Sequence, residues 1–227
     1  MIKSIFNKVR DSIVVNVSYF FHFTDDGSLP PRTNEWSLGI NRAATMLYST
    51  AEFRKQICSG SFPQRTIGRK EPKTPLCSVA YKYMFNSCRI PRREQDSYRI
   101  YDPSRHKHCV VACKGSYFAV DFMDDNGEPL PLSIIENRLQ RCVELANNMD
   151  ANAPNIGWLT SSDRDSWADA REELLRVGGD DMNRALETLE SGAVMICLDD
   201  EVSLFALYMN FFSSSEQSVQ CLFILFV

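Results

Sequence analysis

The sequence predicts an α/β (α+β) fold, a mixed sheet flanked by helices. Three observations carry this. Short β-branched and aromatic runs alternate along the chain with stretches whose apolar residues recur at helical spacing. Residues 108–122 read as strand, tight turn and strand. The chain has 227 residues, 44% of them hydrophobic and 24% charged, enough for one good core and ordinary for a globular protein.

The elements follow in order. Residues 13–23 are β-branched and aromatic and predict a strand, turned by Asp25-Asp26-Gly27. Residues 34–48 predict a helix, with Trp36, Ile40, Ala43, Ala44 and Leu47 at helical spacing. Ser49-Thr50 then reads as the cap of a second helix over 51–58, ended by Gly60. Residues 59–75 read as a loop rich in Gly, Pro and basic groups, 77–87 as a helix stopped by Pro91, and 92–107 as polar, irregular and exposed.

The hairpin is the clearest local signal. His108 to Cys113 and Ser116 to Phe122 flank the turn Lys114-Gly115, and Asp124-Asp125-Asn126-Gly127 makes a further turn. A helix follows to about Asn147, with Ser133 as expected N-cap and Glu136 completing a capping box. Its apolar positions are Ile134, Ile135, Leu139, Cys142, Val143 and Leu145. Residues 156–161 predict a short strand, and Ser162 or Asp163 caps a helix over 164–177 that Gly178-Gly179 ends. A further helix over 182–191 and a buried strand over 193–198 complete the pattern. There are no internal repeats and no low-complexity linker.

Charge and cysteine usage exclude some classes. The net charge is -4 and the basic residues are scattered apart from Arg89, Arg92 and Arg93, so no nucleic-acid partner is implied. The eight cysteines lie mostly in apolar runs, as reduced core thiols do. No signal peptide is read at the start, and the basic, amphipathic first ten residues run straight into a strand pattern. Residues 202–212 and 221–227 are apolar but separated by polar residues 213–218; a membrane-spanning helix needs about 20 continuous apolar residues, so no transmembrane span is expected.

No catalytic, cofactor-binding or metal-binding residue is assigned. His106, His108, Cys109 and Cys113 invite a zinc reading. Their spacing fits no closed site, and on a strand Cys109, Val111 and Cys113 share one apolar face, so a strand start with two exposed histidines is preferred. Asp163 and Asp165 could pair as acid and base, but fit better in a first helical turn, where acids favour the dipole. Asp199-Asp200 follow a buried strand, where ligand sites often lie, with no third partner in view. The sequence cannot pair a nucleophilic Cys with His22 or His108. No Gly-x-Ser-x-Gly elbow, P-loop or Gly-x-Gly-x-x-Gly is present.

Six ordered blocks carry a resemblance. They are Arg10-Asp11-Ser12-Ile13-Val14-Val15-Asn16-Val17-Ser18-Tyr19; Arg42-Ala43-Ala44 with Phe53-Arg54-Lys55-Gln56-Ile57; and Pro75-Leu76-Cys77-Ser78-Val79-Ala80-Tyr81-Lys82-Tyr83-Met84-Phe85-Asn86-Ser87-Cys88-Arg89-Ile90-Pro91 with Asp96. Then come the hairpin with Gly127-Glu128-Pro129-Leu130, Leu159-Thr160-Ser161-Ser162-Asp163-Arg164-Asp165-Ser166-Trp167-Ala168, and Cys197-Leu198-Asp199. In this order they resemble the choline/carnitine acyltransferase family, in wording nearest its carnitine acetyltransferase branch.

The resemblance implies transfer of a short acyl group between coenzyme A, as co-substrate, and carnitine. A histidine general base would take the carnitine hydroxyl proton, and the alkoxide would attack the thioester. It also implies a fold of two similar halves around a tunnel, related to chloramphenicol acetyltransferase, and a mitochondrial or peroxisomal address. The family's histidine lies shortly beyond the Cys-Leu-Asp strand. The only histidines here, His22, His106 and His108, precede it. The expectation is therefore a partial domain over 1–200, lacking the catalytic half and inactive alone, with a non-family hydrophobic tail over 201–227 that contributes nothing to the fold. Carnitine and acyl-coenzyme A are partners by family only. A chaperone or a full-length relative is expected on apolar surface that the missing half would cover.

Overall fold

The computed structural model describes residues 7–12, 37–69, 72–149, 156–198 and 221–224. The predicted strand over 13–23 and its turn lie outside these residues, as do Asp199 and Asp200. The architecture is α/β, with helices packed on a mixed sheet.

Helix α1, Ser37–Ser59, runs without a break where Ser49-Thr50 predicts a cap. Ala43, Ala44, Leu47, Ala51 and Arg54 are buried along one side, so the inward stripe passes through the predicted joint. Burial of that continuous face outweighs the local capping preference of Ser and Thr. Gly60 ends the helix at φ 71°, with the amides of Gly60 and Phe62 donating to the carbonyls of Ile57 and Gln56.

The loop over 59–75 contains a two-residue antiparallel ladder of β1, Thr66–Ile67, and β2, Thr74–Pro75. The helix predicted over 77–87 is only a 3-10 turn, Val79–Tyr83. Asn86 then adopts φ 50° and redirects the chain into β3, Ser87–Ile90. The segment predicted to be irregular holds β4, Ser97–Ile100, antiparallel to β3. Side-chain contacts accompany both corrections. Arg54 reaches Asn86 from α1, and Arg89 pairs with Asp96 across the β3–β4 turn, and neither contact has a local periodicity to announce it.

Among the described residues the main sheet orders its strands Ser116–Asp121, His108–Cys113, Met195–Leu198, Cys221–Ile224. Strands β5, His108–Cys113, and β6, Ser116–Asp121, form the expected hairpin. Lys114 and Gly115 turn it at φ 49° and 77°, both positive as a two-residue type I′ loop requires. Strand β7, Met195–Leu198, lies parallel to β5, and β8, Cys221–Ile224, pairs antiparallel with β7. These last four residues belong to the sheet, although the residue pattern alone offers them no partner.

Helix α2, Leu132–Asn147, starts at Pro131, not at Ser133, so the predicted capping box does not form. Glu136 instead accepts from the Asn41 side chain at 2.5 Å, tying α2 to α1. Ile135, Leu139, Cys142, Val143 and Ala146 face the core, whereas Ile134 and Leu145 are about two-fifths exposed. The strand predicted over 156–161 is a 3-10 helix, Ile156–Ser161, with Trp158 79% exposed. A short apolar run does not distinguish the two by period, and Thr160 here bonds back to the Gly157 carbonyl at 2.6 Å.

Helix α3, Arg164–Ser191, is capped by Asp163, whose carboxylate accepts from the amides of Asp165 and Ser166. Its helical geometry is broken at Gly179, φ 56°, ψ −140°, so Gly178-Gly179 separates two helical stretches as the sequence predicts. The core lies between α1 and α2 and one sheet face, which carries Cys109, Val111, Cys113, Ile196 and Leu198. The shared face predicted for Cys109, Val111 and Cys113 is therefore observed.

Candidate functional site

Ionisable side chains gather where α3 crosses the β3–β4 hairpin. At one end the Asp96 carboxylate is completely shielded from solvent. It accepts from Arg89 at 2.6 Å, from Arg164 at 2.7 Å and from Arg10 at 3.0 Å. The Arg92 amide adds a bond at 3.2 Å. Arg10 also donates to Asp165 at 2.7 Å, and that bond first, then the Glu94 amide, holds the Asp165 carboxyl below the usual carboxylate range. Burial pulls the Arg164 guanidinium below its usual value, and Asp96 opposes that pull.

The same knot holds the segment 7–12 by its backbone. The carbonyls of Asn7, Val9 and Arg10 accept from the Asp96 amide, the Arg89 guanidinium and the Arg164 amide. A carboxylate ringed by three guanidinium groups is fully occupied. It can lock three segments together, but has no lone pair free to take a substrate proton.

At the other end, Tyr101 donates its hydroxyl to Glu190 at 2.9 Å, and Arg171 donates to the other Glu190 oxygen at 2.6 Å and 3.0 Å. Burial first, then the Glu190 charge, raises the Tyr101 phenol and pushes the Cys88 thiol up to about 12. Neither is a nucleophile at neutral pH. Arg99 lies over the Tyr101 ring at 4.6 Å and pairs with Glu187 at 2.8 Å.

His106 packs its ring against Tyr101 at 5.4 Å and stands 6.2 Å from His108. Burial, then His108, lowers the His106 imidazole below its usual value, so it is neutral at neutral pH. His108 Nε2 meets the Thr188 carbonyl at 2.8 Å and so carries its proton there. Both rings are half-buried, not exposed as the strand pattern suggests.

A third polar group stands alone. Arg54 is buried with neutral partners: Asn86 Oδ1 at 2.8 Å and 2.9 Å, and the carbonyls of Pro103 and His106 at 2.7 Å and 3.1 Å. Asn86 in turn donates to the carbonyls of His106 and Ser191.

The residues weighed from sequence separate in space. Cys109 and Cys113 face the core, and Cys109 donates its thiol to the Val120 carbonyl at 3.4 Å. Among the described residues no three His, Cys, Asp or Glu side chains are placed to share a metal ion. Asp163 and Asp165 occupy the first turn of α3 as cap and ion-pair partner. His22, Asp199 and Asp200 lie outside the described residues. Sequence reading passes over Glu190, Tyr101 and Arg171 altogether; only the i, i+19 packing of the kinked α3 brings Arg171 to Glu190.

Comparison with known proteins decides the family. The family model "Choline/Carnitine o-acyltransferase" matches residues 2–221. The chain belongs to the choline/carnitine O-acyltransferase family. It is 28% identical over 218 residues to carnitine O-palmitoyltransferase 2, mitochondrial, of Xenopus tropicalis, over 84% of this chain and 31% of that protein. It is 30% identical over 161 residues to human choline O-acetyltransferase, over 69% of this chain and 21% of that protein. Against choline O-acetyltransferase of Drosophila melanogaster it is 30% identical over 168 residues, 71% of this chain and 23% of that protein. The chain thus spans less than a third of the length of these curated relatives.

Proposed function

We propose that this chain is the sheet-and-helix part of an acyltransferase whose complete form moves a short acyl group between coenzyme A and carnitine, and that these residues alone do not catalyse the transfer. One observation supports the second half most directly: the two described histidines are engaged as structural groups. His106 packs on Tyr101 and His108 bonds the Thr188 carbonyl. Within the ion network described above, Asp96 and Glu190 are taken up by guanidinium and phenol donors, so neither carboxylate is free there to take the proton of an acceptor hydroxyl.

Family membership supports carnitine or choline as acceptor and coenzyme A as the acyl carrier. The relatives named above differ in both acyl group and alcohol, so the test crosses the two. Purified chain is mixed with acetyl- or palmitoyl-coenzyme A and with carnitine or choline, and free thiol release is followed. No release above background is expected for any pair. Turnover abolished by His22→Ala, His106→Ala or His108→Ala would overturn the reading. A mitochondrial or peroxisomal address belongs to the same proposal, supported by the mitochondrial carnitine O-palmitoyltransferase 2 among the relatives.

A second reading, a non-catalytic half-domain that pairs with a full-length relative, is favoured by the sheet face turned away from α1 and α2. There Ala112, Met195 and Cys197 remain only half-buried. Co-elution of the chain with a purified full-length carnitine acyltransferase would support it, and separate elution would remove it.

A further inference from the structure

We infer that Asn126, in the turn after β6, is a site of spontaneous covalent modification: deamidation through a succinimide to aspartate and isoaspartate. In this reaction the main-chain nitrogen of the next residue attacks the carboxamide carbon of the asparagine. The side chain of that next residue is the chief steric obstacle, and glycine has none. The chain holds one Asn-Gly pair, Asn126-Gly127, and one Asn-Ser pair, Asn86-Ser87, the next least hindered.

The fold treats the two pairs oppositely. Asn86 and Ser87 are both buried. Asn86 Oδ1 accepts from Arg54 at 2.9 Å and 2.8 Å, and its Nδ2 donates to the carbonyls of His106 and Ser191, each at 2.9 Å. A carboxamide fixed at both ends cannot swing onto the Ser87 nitrogen. Asn126 is exposed, and Gly127 stands at φ 78° with nothing within 4 Å of where a Cβ would be. A five-membered ring therefore has room to close. One bond restrains the nitrogen: the Gly127 amide donates to the Asp124 carbonyl at 3.1 Å. Attack waits for that bond to open, and an exposed turn opens at far lower cost than the core around Asn86.

The step balances without any oxidant or reductant. The Gly127 nitrogen gives its proton to solvent base and bonds to Asn126 Cγ. The Cγ–Nδ2 bond breaks, and the nitrogen leaves as ammonia with a proton from water. Water then opens the ring at either carbonyl, the side-chain one giving aspartate and the main-chain one isoaspartate. Both products add a negative charge to a turn that already carries Asp124, Asp125 and Glu128, faced by Lys107 on Asp125 and Lys55 on Glu128. Isoaspartate also lengthens the main chain by one carbon, inside a turn pinned by the Met123–Pro129 bridge. This inference stands apart from the proposed function, since it uses none of the residues in the ion network.

The test ages the full chain at mildly alkaline pH and locates isoaspartate by peptide mapping. An isoaspartyl O-methyltransferase with S-adenosylmethionine as methyl donor counts the sites. An acidic shift of one charge is expected, with isoaspartate at 126 ahead of every other asparagine. The reaction should quicken as pH rises, because the attacking nitrogen must lose its proton. In urea, which releases the Asn86 lock, isoaspartate should appear at 86 as well. Asn126→Gln should lose the early methyl acceptance and, the position being exposed, melt as the parent does. Four results would each overturn the inference: no isoaspartate at 126 in the folded chain, as much at 86 as at 126 before urea is added, aspartate formed at 126 without isoaspartate, or methyl acceptance undiminished in Asn126→Gln.

Discussion

Asp96 illustrates how much can rest on one side chain. Its carboxylate offsets three guanidinium groups drawn from the segment 7–12, the β3–β4 hairpin and α3. Desolvating Arg89 and Arg164 is tolerable only with that negative charge in place. Asp96→Asn keeps the shape but leaves buried cations uncompensated. It should cost about 3–5 kcal/mol, read as a lower urea midpoint with an unchanged slope. Arg93 provides the contrast. Its bidentate pair with Asp169 is 70% and 48% exposed at its two ends, where solvent weakens the attraction. Asp96, Arg10, Arg89 and Arg164 were all visible in the sequence as family-matching positions; that they meet was not. Arg10 and Arg164 lie 86 and 68 residues away, and no local spacing encodes a contact of that reach.

At the scale of elements, the sequence was most legible where the signal is local and the structure has nothing to override. The hairpin with Lys114-Gly115, the Asp163 cap and Ile135, Leu139, Cys142 and Val143 on the inward side of α2 all rest on residues a few positions apart. It failed where a neighbour in space decides, as at Ser49-Thr50, buried into one long helix, and over 77–107, where Asn86 and Asp96 turn the chain. Gly179 shows a local signal that the structure bears out. A Gly pair usually ends a helix; here the chain resumes and Arg171 reaches Glu190 across the bend. The conformation at φ 56°, ψ −140° is open only to glycine, and side chains forced there cost about 1–3 kcal/mol. Gly179→Ala should therefore destabilise by that amount, measured by thermal melting. Space is not the obstacle, since nothing lies within 4 Å of the added methyl. An unchanged melting temperature would mean that the kink relaxes.

Across the whole molecule, β8 tests whether residues beyond 200 belong to the fold. Its pairing gives β7 a second neighbour and makes Met195–Leu198 an interior strand of the sheet. A chain ending at residue 220 loses a four-residue ladder. At a net contribution near 1 kcal/mol per hydrogen bond, it should be less stable by about 2–4 kcal/mol and should aggregate more readily through the bared β7 edge. Comparing urea midpoints and soluble yields of the two forms decides this. Equal stability would show that Cys221–Ile224 add nothing to the sheet.

The sequence by itself determined the α/β class, the family and the inward faces of α1, α2 and the hairpin, because each depends on residue type at fixed short spacing. Only the tertiary structure decided where the charges meet. The Asp96 lock, the Arg54–Asn86 knot and the Tyr101–Glu190–Arg171 group each join side chains far apart in the chain. Burying a charge is costly unless a partner arrives with it, and which partner arrives is set by how helices cross strands, which no pattern along the chain records.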